Sequence, residues 1–145
     1  MFLVDTNVIS EGRKGARADL TVVNFVMQSE QDIFLPVQVI GELQSGVEML
    51  RQRGDLLQSS QLQKWLQTVL HRYSSRILTF DLECAKLWGN LRGSSDQNLI
   101  DKQIAAVALA YDLTVVTRNT SHFAGTGVRM LNPFLPDFEP GKPTN

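Results

Sequence analysis

Apolar residues arrive along this chain in two rhythms. Short unbroken runs, Phe2-Leu3-Val4, Ile33-Phe34-Leu35, Ile77-Leu78-Thr79-Phe80 and Thr114-Val115-Val116-Thr117, have the length of buried strands and are too short for helices. Val128-Arg129-Met130-Leu131 reads as a last edge strand. Between these runs the period changes to three and four. Val39, Ile40, Leu43, Val47 and Leu50 form a buried stripe over residues 37–53. Leu62, Trp65, Leu66, Val69 and Leu70 do the same over 56–73, after a break at Gly54-Asp55. Asp19 can cap a helix to Ser29 and Asp81 one to Leu91. A helix over 99–111 carries alanines at 105, 106, 108 and 110 for close packing on a sheet. Alternating strands and helices predict an α/β fold: three layers, α/β/α, around a mostly parallel central sheet of four to five strands. The chain reads as one domain over 1–134, followed by a proline-rich tail over 135–145 that is expected to be extended and partly disordered.

Composition narrows the function classes. Fourteen lysines and arginines face fifteen acids, a formal net charge of −1, so nothing here grips nucleic acid by bulk positive charge. Nucleic-acid binding would have to come from local patches or from a bound metal that neutralises phosphate. Cys84 is the only cysteine, which excludes an intrachain disulfide or a thiolate cluster and fits a reducing, cytoplasmic setting. Asp5 interrupts the first apolar run too early for a signal peptide, and no run reaches the roughly 20 apolar residues of a membrane span. The two histidines, His71 and His122, lack metal-ligand spacing and read as surface residues. There is no glycine-rich nucleotide cradle.

The first strand ends abruptly in Asp5-Thr6-Asn7. Open α/β sheets bind ligands beyond the carboxyl ends of their strands, so Asp5 reads as a carboxylate at the mouth of the sheet, with Thr6, Asn7 and Ser10 as polar neighbours. Asp is also a favoured helix cap, and that bland reading stands beside the functional one. Glu42 adjoins the buried stripe of its helix, where an acid is costly unless paired or coordinated, or else lies on a solvated rim. Asp101 falls in the first turn of its helix, where the dipole alone would favour it. The fourth strand delivers Arg118-Asn119-Thr120 as the first delivers Asp5. Gathered at one crevice, Asp5, Glu42, Asp101 and Asn119 are oxygen donors, suited to magnesium or manganese rather than zinc. Such carboxylates repel one another unless a divalent cation relieves them, and the chemistry they suit is phosphodiester hydrolysis.

Four stretches carry a resemblance. Phe-Leu-Val-Asp-Thr-Asn-Val-Ile-Ser-Glu at 2–11, Ile-Gly-Glu-Leu-Gln-Ser-Gly at 40–46, Ile-Asp-Lys-Gln-Ile-Ala-Ala at 100–106 and Leu-Thr-Val-Val-Thr-Arg-Asn-Thr at 113–120 resemble the PIN-domain ribonucleases. In order and spacing they are most similar to the VapC toxins of bacterial type II toxin–antitoxin pairs, near the FitB branch. Val-Arg-Met-Leu-Asn-Pro-Phe at 128–134 is similar to that branch too. The resemblance implies a PIN-like fold and an endoribonuclease that uses Mg2+, with Mn2+ able to substitute. It also implies a homodimer, or a hetero-oligomer with a small cognate antitoxin that blocks the site. It places the first three acids on Asp5, Glu42 and Asp101 as metal ligands, and the fourth position on Asn119. Thr6 and Arg118 fall beside these, where they are expected to contact substrate.

One departure stands out. Many relatives carry an acid just before the phenylalanine of the closing segment, where this chain has His122 before Phe123. The other readings are a PIN-like module acting mainly with its antitoxin as a DNA-bound autoregulatory complex, and an aspartyl-nucleophile phosphatase. Those phosphatases usually place a second Asp two residues after the first, where this chain has Asn7.

Overall fold

The computed structural model describes residues 1–142. Its strands are β1 (Phe2–Val4), β2 (Ile33–Pro36), β3 (Ile77–Leu78), β4 (Thr114–Val116) and β5 (Met130–Leu131). Its helices are α1 (Thr6–Ile9), α2 (Leu20–Gln28), α3 (Val37–Gln52), α4 (Leu56–Arg72), α5 (Leu82–Arg92) and α6 (Leu99–Tyr111). The strands form one sheet in the order β3-β2-β1-β4-β5, and every pairing is parallel. Together sheet and helices make the three-layer α/β/α arrangement.

Strand length follows position in the sheet. β1 is central, and Leu3 and Val4 are fully buried. At the edge, β3 pairs only Ile77 and Leu78 with Leu35 and Pro36, so Thr79 and Phe80 fall outside the ladder. Pro36 is tolerated because it closes its strand and immediately precedes α3, where a missing N–H costs nothing. The helices start where side chains satisfy their first amides. Asp19 accepts from the Thr21 and Val22 N–H groups, and Asp81 from Cys84 N–H at 3.0 Å. α3 and α4 form the expected hairpin, and α5 packs on α6. Leu56 and Leu57 at the hairpin tip are exposed, whereas Leu62, Leu66 and Val69 are core.

Chain order reverses at β1. From it the chain runs outward through β2 and β3, then crosses back to lay β4 on the other side. Val4 pairs with Val116, so the residues that follow, Asp5 and Thr117, leave the sheet side by side. A reversal of this kind opens the crevice in which α/β proteins place their ligands.

The end of the chain differs from expectation. Residues 135–142 do not run extended but turn repeatedly, with Phe138 N–H donating to Leu135 O and Lys142 N–H to Glu139 O. Phe138 packs edge-on against Phe25, ring centroids 5.6 Å apart, so apolar burial holds this segment against the body of the protein. The expectation of disorder also covered 143–145, which lie outside the described residues.

Candidate active site

Asp5 is both a cap and a buried acid. Its side chain accepts from Thr6 N–H at 2.7 Å, which starts α1, so the bland reading of the sequence holds. The same carboxylate is only 4% exposed and accepts two further bonds. Thr117 Oγ1 donates to Oδ2 at 2.7 Å and Asn7 Nδ2 to Oδ2 at 3.0 Å. Three donors on one buried carboxyl group repay its burial and fix its orientation. Asn7 reaches across the crevice as well, its Oδ1 accepting Arg118 N–H at 3.0 Å. Thr117 is fully buried, and its hydroxyl also accepts Asn119 N–H at 3.0 Å. One hydroxyl therefore joins the end of β4 to the end of β1. The sequence reading placed Thr117 in the fourth strand and gave it no role; β4 stops at Val116, which frees it to turn toward Asp5.

Glu42 and Asp101 approach from two helices. Glu42 lies on α3, two turns or less from its start, and Asp101 in the first turn of α6. Glu42 keeps contact with solvent, as the rim reading holds, yet the protein crowds it on one side. Burial pushes its carboxyl above the usual range, and the charges of Asp5 and Asp101 push the same way against the Thr6 hydroxyl. Burial likewise raises Asp101, followed by the charge of Asp5, with His122 opposing. Each acid is perturbed by Asp5, so the three share one electrostatic environment. His122 Nδ1 stands 3.0 Å from Asp101 Oδ2, a partner the sequence reading assigned to the surface.

The remaining candidates fall differently. Asn119 is exposed, and among the described residues its side-chain amide makes no hydrogen bond to the three acids; its backbone instead ties Thr117 to His122. Arg118 turns to another partner set. Its guanidinium lies 3.6 Å from Glu11 Oε2 and 3.9 Å from the Phe134 ring centroid. Glu11 is buried at 3% exposure and takes Lys14 Nζ at 2.6 Å and Asp19 N–H at 2.8 Å. Burial raises its carboxyl, but these bonds and cations outweigh it and hold Glu11 below its ordinary value. The Thr6 hydroxyl is buried, has no hydrogen bond of proper geometry, and faces Glu42.

These residues fit a hard divalent cation. They offer carboxylate oxygens that burden one another, with the Thr6 hydroxyl beside Glu42 and no soft ligand. Among the described residues no three His, Cys, Asp or Glu side chains are close enough to hold a metal ion as they stand. Mg2+ needs no such cage, since it keeps several waters and takes one or two carboxylates directly. Among the described residues no helix is long and apolar enough to cross a membrane.

Comparison with known proteins gives the same architecture a lineage. The plasmid stability protein StbB of Pseudomonas syringae pv. tomato is 32% identical over 92% of this chain and 99% of its own. The VapC ribonuclease Y4jK of Sinorhizobium fredii is 30% identical over 94% and 99%. The toxin FitB of Neisseria gonorrhoeae is 30% identical over 92% and 99%. The crystal structure of FitAcB from that organism matches with a TM-score of 0.81 at 31% identity, covering 92% of this chain and 98% of the other. The PIN domain family model matches residues 2–127, and this chain belongs to the PIN domain family.

Proposed function

We propose that this protein is the toxin of a type II toxin–antitoxin pair and an endoribonuclease that hydrolyses RNA phosphodiester bonds with Mg2+ or Mn2+. The observation that carries this reading is the gathering of Glu42 and Asp101 near Asp5 at the switch point of the sheet, where burial first and the charge of Asp5 after it push both carboxyls above their ordinary range. Likeness to a VapC ribonuclease and to the toxin FitB supports it.

Asp5, Glu42 and Asp101 would hold the cation, directly or through its waters, and Asn119 would assist from the loop after β4. When bound, the cation supplies charge against the scissile phosphate and acidifies a water at neutral pH. Asp5 contributes a fixed oxygen, because Thr6, Asn7 and Thr117 hold its carboxylate in place. Thr6 stands where a polar group meets substrate. Arg118 offers a cation to the RNA backbone beyond the acids, with Glu11 and Phe134 holding its guanidinium. The apolar groove of about 240 Å³ between Val8, Val23, Val26, Trp65 and Tyr73 gives a cognate antitoxin a place to dock on the α4 face. The toxin works as a homodimer or as a hetero-oligomer with that antitoxin, in the cytoplasm. With a net charge of −1, it reaches operator DNA only through the antitoxin.

The test is cleavage of total and transfer RNA by the purified protein in Mn2+, Mg2+ or EDTA, beside Asp5→Ala. Metal-dependent cuts that vanish in the variant are expected. Equal cutting in EDTA, or by a folded Asp5→Ala protein, refutes the reading.

A further inference from the structure

The His122 ring is directed at an acid of the site, its Nδ1 3.0 Å from Asp101 Oδ2. The histidine is not a loose surface side chain. It lies in a short 3-10 turn, Thr120–Phe123, whose next residue, Phe123, is 1% exposed and anchored in the core. His122 N–H donates to Asn119 O at 3.0 Å, and buried Thr126 donates its hydroxyl to Phe123 O at 2.6 Å. Backbone and neighbour thus fix the base of the imidazole. The other histidine, His71, lies exposed in the last turn of α4, where a helix C-terminus alone explains it.

The partner is equally informative. Asp101 is the third residue of α6, a position from which an acid ordinarily reaches back to the amide of the cap residue. Here the cap, Asn98, has a left-handed backbone and makes no side-chain capping bond. Among the described residues the Asp101 side chain bonds His122 instead, through Oδ2. A carboxylate oxygen only accepts, so this contact needs the proton on Nδ1, and it leaves Oδ1 without that restraint.

We infer that His122 is a positioning residue of the acidic centre: by holding Oδ2 of Asp101 it fixes which oxygen of that carboxylate remains for the divalent cation. The inference rests on the metal-dependent reading proposed above. Asp101 thereby has a hydrogen-bond partner on Oδ2. Partners that orient a ligating carboxylate in this way typically carry a 10–100-fold share of metal affinity.

The experiment is calorimetric titration of Mn2+ into the full-length protein, with melting curves in EDTA alongside. His122→Ala is expected to weaken Mn2+ binding by about 10–100-fold without moving the melting curve. His122→Asn, whose amide nitrogen falls near the place of Nδ1, is expected to restore most of the affinity. Unchanged affinity in His122→Ala, or a shifted melting curve with unchanged affinity, overturns the inference. Mn2+ binding tighter than the parent's in His122→Asp also overturns it, because the position would then serve as a ligand. A parent protein that takes up no Mn2+ overturns the metal reading itself, an outcome distinct from unchanged affinity in the variant.

Discussion

The two sides of the crevice are built on opposite terms. On the sheet side, Asp5 is 4% exposed and accepts bonds from a backbone amide, an amide side chain and a buried hydroxyl. On the helix side, Glu42 and Asp101 keep solvent contact, and both are pushed above the ordinary carboxylate range. The protein therefore holds the Asp5 carboxylate with three donors but gives Asp101 one partner, His122, and sets only the Thr6 hydroxyl beside Glu42. A site that satisfied all three acids internally would have no use for a cation. One that satisfied none could not bury Asp5. The division fits the proposed reading, in which Asp5 is the fixed anchor and a cation would complete the helix acids.

Breaking either side tests this division. Asp5→Ala or Asp101→Ala should lower metal-dependent RNA cleavage by more than about 100-fold, since even orienting partners of a metal ligand cost 10–100-fold. Initial rates on a labelled RNA, with circular dichroism to confirm folding, measure it. Thr117→Val attacks the anchor without touching an acid. It strips a donor from Asp5 and leaves Asn119 N–H unpaired, so denaturant unfolding should show a loss of about 1–3 kcal/mol.

Arg118→Ala lies outside both sides. Losing one phosphate contact should reduce the dependence of RNA affinity on log salt by about one, as filter binding of uncleaved RNA would show. The smallest effect belongs to the helix side. The raised carboxyl of Glu42 means the folded protein holds its proton to higher pH than the unfolded chain does, so stability falls as pH rises through that window. In EDTA at pH 7, Glu42→Gln should therefore melt higher than the parent, by about 1 °C or less because solvent screens the side chain. The gain should vanish near pH 4, where the acid is protonated in both states. A gain that persists there would mean the effect is not electrostatic.

Much of this was written in the sequence because it follows from local pattern. Short apolar runs and three-four stripes placed β1, β2, α3, α4 and α6, and Asp5 followed from where the first strand stops. What stayed hidden depended on pairings between distant segments. Nothing near Thr117 announces that its hydroxyl meets Asp5, 112 residues away. His122 is exposed, as its sequence reads, but its bond to Asp101, 21 residues back on another element, was not legible. The available signal was its place in the position of an expected acid. Arg118 was legible as a neighbour of the site but not as the partner of Glu11, a buried acid in a segment that reads as polar. The tail misled because proline marks extended chain, while Phe138, between two prolines, had an apolar surface to cover.

The most direct test of the account is a crystal of the protein soaked in Mn2+ and measured for anomalous scattering. The account predicts a peak in the crevice beside Asp5, within coordination distance of Asp5 or Asp101 and with Glu42 facing it, which disappears in Asp5→Ala crystals. A saturated soak with no peak there, or one bound by other residues, would contradict the claim that these three acids are a metal centre.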